Sequence, residues 1–314
     1  MRLLLIDGHY YCYRSFYAIR DLRNSRGEAT NAIYGFVKTI RKMLKDLRPD
    51  LAAVLWDQGL PLRRTELQPE YKATRTETPQ DLRPQIDALI NMMPIFGLKS
   101  IGVPNTEADD LIATYATVAR ARGDEVILAT NDKDLFQLVD EKCFVYSTNK
   151  TDLPDPKAPH ALLDAAKVQA KWGVPPALIG DVLALIGDSV DNIPGVPGIG
   201  PKTAVSLLQQ FGNLDGLLKN IGAVTANRAR ESLTASVELI AQNREMVRLD
   251  CDLDLPVALD DLRIEPRWAE MVTAMESCEF RGLTAEVRAD AAAAGFGTPE
   301  VKPTTPSMAQ GELF

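Results

Sequence analysis

The chain has 314 residues, enough for one large α/β domain or a domain with a smaller appendage. Hydrophobic residues make up 46%, so a sizeable core can form and wholesale disorder is excluded. The net charge of −8 argues against nucleic-acid binding if taken alone, but it is unevenly spread. Residues 1–100 carry 16 Lys/Arg against 11 Asp/Glu and the remainder 19 against 32, so an acidic total leaves room for a basic face.

No apolar run reaches the roughly 18 residues that span a bilayer. The opening MRLLLIDGHYYCYR meets an acid too early for a signal segment and reads as a first strand. Cys12, Cys143, Cys251 and Cys278 form no C-x-x-C pair, which disfavours a zinc or redox site and points to reduced thiols in the cytoplasm. With only His9 and His160 present, histidine-based metal or nucleophile chemistry is nearly closed off.

Along the chain, Leu3–Ile6, Leu51–Trp56, Leu98–Val103 and Val126–Thr130 are short apolar runs ending at a carboxylate or a turn. They have the length and composition of strands buried on both faces. Between them, Ile33, Phe36, Val37, Ile40, Met43 and Leu44 repeat at helical spacing, as do Ala108, Leu111, Ile112, Tyr115 and Ala119. This alternation predicts an α/β fold, a mostly parallel twisted sheet flanked by helices, over residues 1–159. Residues 58–85, rich in proline and charge, break the pattern and read as an exposed loop or a mobile functional element. Residues 160–289 read as mainly helical, and 290–314, small and Pro/Thr-rich, as a disordered tail.

Nine acids fall just past apolar elements or in tight pairs: Asp7, Asp57, Glu107, Asp109, Asp110, Asp132, Asp134, Asp188 and Asp191. In an open parallel sheet the C-terminal strand ends form one crevice, and Asp7, Asp57 and Asp132 lie at three such ends. Glu107, Asp109 and Asp110 fall in the first turn of the next helix, with Thr106 as its expected N-cap. Asp188 and Asp191, three apart, are expected to share a face of one helical turn. So many carboxylates together repel one another unless cations are present. An oxygen-only donor set selects Mg²⁺ or Mn²⁺, and a pair of such ions suits phosphodiester hydrolysis.

The segment DNIPGVPGIGPKTAVSLLQQFG follows Asp191 directly. Gly195, Gly198 and Gly200 permit tight turns, Pro201 suits a first helical position, and Lys202 stands beside a helix N-terminus open to phosphate. Residues 188–212 resemble a helix-hairpin-helix motif, which grips duplex backbone without reading bases.

The stretches LLIDGHYYCYRSFYA, NSRGEATNAIYGF, PEYKATR, EADDLIATYA, ATNDKDLFQL, GDSVDNIPGVPGIGPKTA and MESCEFRGL, spread over residues 1–287, together resemble the bacterial 5′-3′ exonuclease and flap endonuclease family, including the 5′-nuclease domain of DNA polymerase I. The resemblance implies a PIN-like 5′-nuclease core with a helix-hairpin-helix region, cutting 5′ flaps at duplex junctions in Okazaki-fragment processing and repair. It implies a first metal group of Asp7, Asp57, Glu107, Asp109 and Asp110 and a second of Asp132, Asp134, Asp188 and Asp191, with Asp109 between them. Lys72 and Arg75 match basic residues of the family's helical arch, which steer the scissile phosphate. Tyr10 and Arg14 are candidates for contacting the flap strand. The hairpin glycines imply a K⁺ ion held by backbone carbonyls. No polymerase domain follows in the sequence, so a monomeric enzyme without a tethered polymerase is expected.

The chain ends Gln310-Gly311-Glu312-Leu313-Phe314. Q-x-x-L-F resembles the short peptide by which replication proteins dock on the bacterial sliding clamp, with Leu313 and Phe314 as anchors and Gln310 as a polar contact. Two further readings are a non-catalytic junction binder on the same scaffold and a PIN-type ribonuclease.

Overall fold

The computed structural model describes residues 1–155 and 157–296. Six strands, β1 (Arg2–Asp7), β2 (Leu51–Leu55), β3 (Lys99–Ile101), β4 (Glu125–Ala129), β5 (Cys143–Ser147) and β6 (Ala161–Leu163), form one sheet in the order β3-β2-β1-β4-β5-β6. All neighbours are parallel except β5 and β6. The helices are α1 (Gly8–Ala18), α2 (Asn31–Leu47), α3 (Leu62–Leu67), α4 (Arg83–Met92), α5 (Ala108–Arg122), α6 (Ala165–Trp172), α7 (Ile179–Ile186), α8 (Pro201–Phe211), α9 (Leu214–Lys219), α10 (Asn227–Ala235), α11 (Val237–Met246), α12 (Trp268–Ser277) and α13 (Arg281–Ala293).

The period of two in β1 sorts its side chains between two cores. Leu3 and Leu5 join Leu51, Leu55, Val126 and Leu128 under α5 and the C-terminal helices α7 and α8. Leu4 and Ile6 join Ala52, Val54, Ile127 and Ala129 under α2, α4 and the returning pair α12–α13. β1, β2 and β4 are therefore buried on both faces, as their unbroken apolar runs require, whereas the edge strand β3 exposes Lys99. The chain leaves β1 toward β2 and β3, then crosses back to add β4, β5 and β6 on the other side. This reversal opens a crevice at the C-terminal ends of β1 and β4, where ligands bind in such sheets.

Three boundaries differ from the sequence expectation. The sheet does not stop at residue 159: β6 pairs Ala161 with Ser147 and Leu163 with Val145. Residues 160–289 are not one helical unit, because Met271, Val272, Met275, Phe280, Leu283 and Val287 pack back on the core under α2 and α4. Residues 290–293 belong to α13 rather than to a tail, since Val287 and Ala291 seat that helix in apolar contact. Residues 310–314 lie outside the described part. Among the described residues no helix is long and apolar enough to cross a membrane.

Candidate active site

The crevice has a volume of about 980 Å³ and is bordered by Asp7, His9, Tyr10, Asp57, Lys72, Arg75, Glu107, Asp109 and Asp132. Its floor is made of strand ends. Asp7 is the last residue of β1; its Oδ1 accepts the Tyr10 N–H at 2.9 Å and so caps α1. The Thr130 hydroxyl donates to Asp7 Oδ2 at 3.1 Å and accepts the Asp132 N–H at 3.0 Å, which locks the loop after β4 to the end of β1. Asp57 follows β2, and its Oδ1 accepts the Ala108 N–H at 2.7 Å, the first free donor of α5. The N-cap of α5 is Glu107 and not Thr106, whose hydroxyl turns back to the Pro104 carbonyl. Two of the acids thus serve as caps and border the crevice at once.

Burial and mutual repulsion act on these carboxylates together. Burial, then the charge of Asp57, pushes Asp7 up to about 7 despite the Tyr10 N–H. Asp109 is held well above the carboxylate range by burial and then by Asp132, Asp7 and Asp57. Burial also raises Asp132, which feels Asp191 and Asp188, and Asp134, which feels Asp132, Asp191 and Asp188. Asp132 therefore stands between the two sets in the same way as Asp109.

Basic groups neutralise the rest. Lys133 Nζ lies 2.7 Å from Asp188 Oδ2, Arg75 Nη2 lies 2.6 Å from Asp191 Oδ1, and Lys72 Nζ pairs with Glu107 Oε1. The Tyr71 hydroxyl reaches Glu107 at 3.1 Å and Asp191 at 3.4 Å. Donor chemistry and burial both suit hard divalent ions: the facing groups are oxygens, and Asp134 Oδ1 is buried with no hydrogen-bond partner. Among the described residues no three acidic, histidine or cysteine side chains already close an ion-sized cage. Like charges spread toward Lys72, Arg75 and Lys133 instead of toward one another.

Four expectations need correction. Asp110 does not face the crevice. One step along a helix turns a side chain by about 100° from its neighbour, so Asp109 borders the crevice while Asp110, 1% exposed, binds Arg64 through both oxygens. Asp188 and Asp191 do not share a helical turn. Gly187 ends α7, and the chain folds into a tight loop closed by reciprocal hydrogen bonds between Asp188 and Ile193. Lys72 and Arg75 do not sit on a helix; they occupy a run of turns after α3, with Lys72 at φ 58°. Residues 58–85 are also not a free loop. Arg64 and Tyr71 are buried, the Lys72 N–H donates to the Asp191 carbonyl, and the Asn192 amide donates to the Glu70 carbonyl.

Composition understated His9. It borders the crevice, its Nδ1 accepts the Asp57 N–H at 3.2 Å, and burial lowers its pKa, so it stands as a neutral imidazole. Arg64, Tyr71, Thr130 and Lys133 were also passed over. The signal for Lys133 was its place inside TNDKD between two acids; the partners of the other three are set only by folding.

Tyr10 borders the crevice, and Arg14 is exposed one turn further along α1, bonded to Thr148 at 2.7 Å. The hairpin 187–200 joins α7 to α8, with Gly200 as the N-cap of α8, Pro201 first in the helix and Lys202 exposed beside it. Gly195 lies so close to α7 that a Cβ there would stand 2.2 Å from the Ile186 carbonyl oxygen.

Two family descriptions match successive parts of the chain: the 5′-3′ exonuclease N-terminal resolvase-like domain over residues 2–173 and the 5′-3′ exonuclease C-terminal SAM fold over 174–270. A 5′-3′ exonuclease of Aquifex aeolicus is 34% identical over 286 residues, covering 91% of this chain and 94% of that protein. DNA polymerase I of Rhizobium leguminosarum is 37% identical over 297 residues, and there the match spans 91% of this chain but 28% of the relative. The fold is shared with the phage T5 flap endonuclease solved with DNA and metal ions, at a TM-score of 0.63 and 22% identity over 92% of this chain and 97% of that one. The strand-end acids, the hairpin before α8 and these matches over most of the sequence make the chain a member of the 5′-3′ exonuclease family.

Proposed function

We propose that the crevice hydrolyses phosphodiester bonds where a single 5′ strand leaves duplex DNA. The observation that carries this reading is the gathering of Asp7, Asp57, Asp109, Asp132 and Asp134 at the sheet's reversal point, four of them acids of raised pKa and one, Asp134, with an orphan oxygen. Asp7, Asp57, Glu107 and Asp109 would hold one Mg²⁺ or Mn²⁺, and Asp132, Asp134, Asp188 and Asp191 a second. When bound, such ions supply an activated water and charge neutralisation at the leaving oxygen.

The chain's own groups do the rest. Lys72 and Arg75, on the rim above the acids, attract the scissile phosphate and oppose the charge that grows on it. Tyr10 and Arg14, one helical turn apart on α1, offer a ring face and a guanidinium to the departing strand. The open N-terminus of α8 with Lys202 takes a duplex phosphate, and the carbonyls of the hairpin around Gly195, Gly198 and Gly200 are suited to a K⁺ ion. The C-terminal residues Gln310, Leu313 and Phe314 fit a sliding-clamp peptide.

Product mapping on a labelled double-flap DNA tests the reading. Mg²⁺-dependent cuts at the flap junction, abolished by EDTA, are expected. A lack of cutting with either Mg²⁺ or Mn²⁺, or cutting indifferent to EDTA, overturns it.

A further inference from the structure

Arg64 is a buried cation, 4% exposed, and its donor groups are engaged by two separate parts of the chain. Its Nε donates to the Met246 carbonyl at 3.0 Å and its Nη2 to the Arg248 carbonyl at 3.0 Å. The guanidinium grips Asp110 through two bonds of 2.6 and 2.8 Å, and Nη1 also reaches Glu107 Oε2. Asp110 Oδ1 accepts the Asp250 N–H at 2.9 Å as well. One side chain on α3 thereby ties the start of α5 to the strap 246–250.

We infer that Arg64 is a positioning residue for the metal-binding face: it aims Glu107 into the crevice, and Asp110 is its fixed counter-ion and not a metal ligand. Turning Asp110 toward the crevice would break a bidentate pair inside the protein and strip the Asp250 N–H of its acceptor. Both changes leave charge or polarity buried without a partner, so Asp110 stays. Glu107 is different. Its Oε1 points to Lys72 at the crevice edge while Arg64 tethers Oε2 inward, and the Tyr71 hydroxyl reaches both oxygens from behind. A carboxylate held on one oxygen and presented on the other is how groups behind a metal site set ligand geometry. The planar fork matters here, because a lysine ammonium supplies charge without fixing direction.

This inference rests on the proposed divalent-ion site, and the test separates the two. Mn²⁺ is titrated by calorimetry into wild type, Arg64→Lys and Asp110→Asn without DNA, with a thermal melt to establish folding. Arg64→Lys is expected to weaken Mn²⁺ binding about 10- to 100-fold, with cleavage recovering at high Mn²⁺. Asp110→Asn is expected to bind as many ions as wild type, and the double variant to lose no more affinity than Arg64→Lys alone, since Asp110 acts only through Arg64. If Arg64→Lys does not fold, Arg64→Met with Asp110→Leu removes charge and counter-ion together and carries the same expectation. Unchanged Mn²⁺ affinity in a folded Arg64 variant, or one ion fewer in Asp110→Asn, overturns the inference alone. A wild-type protein that binds no Mn²⁺ overturns the metal site beneath it.

Discussion

The two ends of the crevice treat negative charge in opposite ways. At the Glu107–Asp110 end each carboxylate has a cation against it, Lys72 or Arg64, and the group is sealed under α3 and the strap 246–250. At the Asp7–Asp109–Asp132–Asp134 end, burial and neighbouring acids push the carboxylates toward their neutral forms, and one oxygen of Asp134 finds no donor. The first end is charge-compensated as folded: Arg64 and Asp110 are its scaffold, and Glu107 is the group they hold toward the crevice. The second carries charge that the fold leaves uncompensated, which is the condition under which a site gains by binding cations.

Substitutions should break this comparison with opposite signs. Asp132→Asn removes one member of the repelling set. Flap cleavage is expected to fall on the order of 10²- to 10³-fold, while the melting temperature in EDTA at pH 8 rises. Asp110→Ala at the compensated end leaves Arg64 buried with a weaker partner set. It is expected to cost about 3–5 kcal/mol, read as a clear drop in the same melting experiment. Two shifts of the same sign would remove the distinction between the ends.

A smaller effect follows from pH. The folded value of Asp7, about 7, lies above its unfolded value of 3.8, so the folded state holds the proton longer. The Asp7 contribution to stability is then full below pH 3.8 and is lost as pH rises toward 7, because the unfolded chain ionises first. Divalent ions compete with that proton. Mg²⁺ should therefore raise the melting temperature little at pH 5 and most at pH 8. At 100 times the dissociation constant the gain is about 2.7 kcal/mol, or several degrees. A Mg²⁺ shift independent of pH would show that the raised carboxylates are not the ones that meet the ion.

Much of this was legible in the sequence. Unbroken apolar runs marked β1, β2 and β4, and acids after them located the crevice, because both signals are local; β3 was legible from a broken run that ends at a turn. The pairing of β6 with β5 was missed: Ala161–Leu163 is three residues long, and its partner lies across a polar loop. The return of α12 and α13 onto the core under α2 and α4 was missed for a related reason, since helical periodicity says which face is apolar but not what covers it. Asp109 and Asp110 look equivalent in the string EADDLIA, and only the helical rotation separates a crevice acid from a counter-ion. Arg64 read as one more charge in a charged segment, because burial of a guanidinium depends on carbonyls at 246 and 248, far along the chain.

The smallest predicted effect concerns the hairpin, where two glycines with one sequence signature do different work. Gly195 is packed against the Ile186 carbonyl and cannot accept a side chain without backbone movement. A Cβ at Gly200 would meet no atom within 4 Å, and its backbone is ordinary and extended, so its open space faces outward at the N-terminus of α8. If that opening receives a duplex phosphate, Lys202→Ala should leave the melting temperature and the cleavage rate at saturating DNA unchanged. It should weaken duplex binding and reduce the slope of log affinity against log salt by about 1. Gly200→Ala should weaken binding with little loss of stability, whereas Gly195→Ala should lower the melting temperature first. An unaltered salt slope in Lys202→Ala would move the duplex contact away from α8, because a cation that neutralises a phosphate releases a counter-ion that the titration must register.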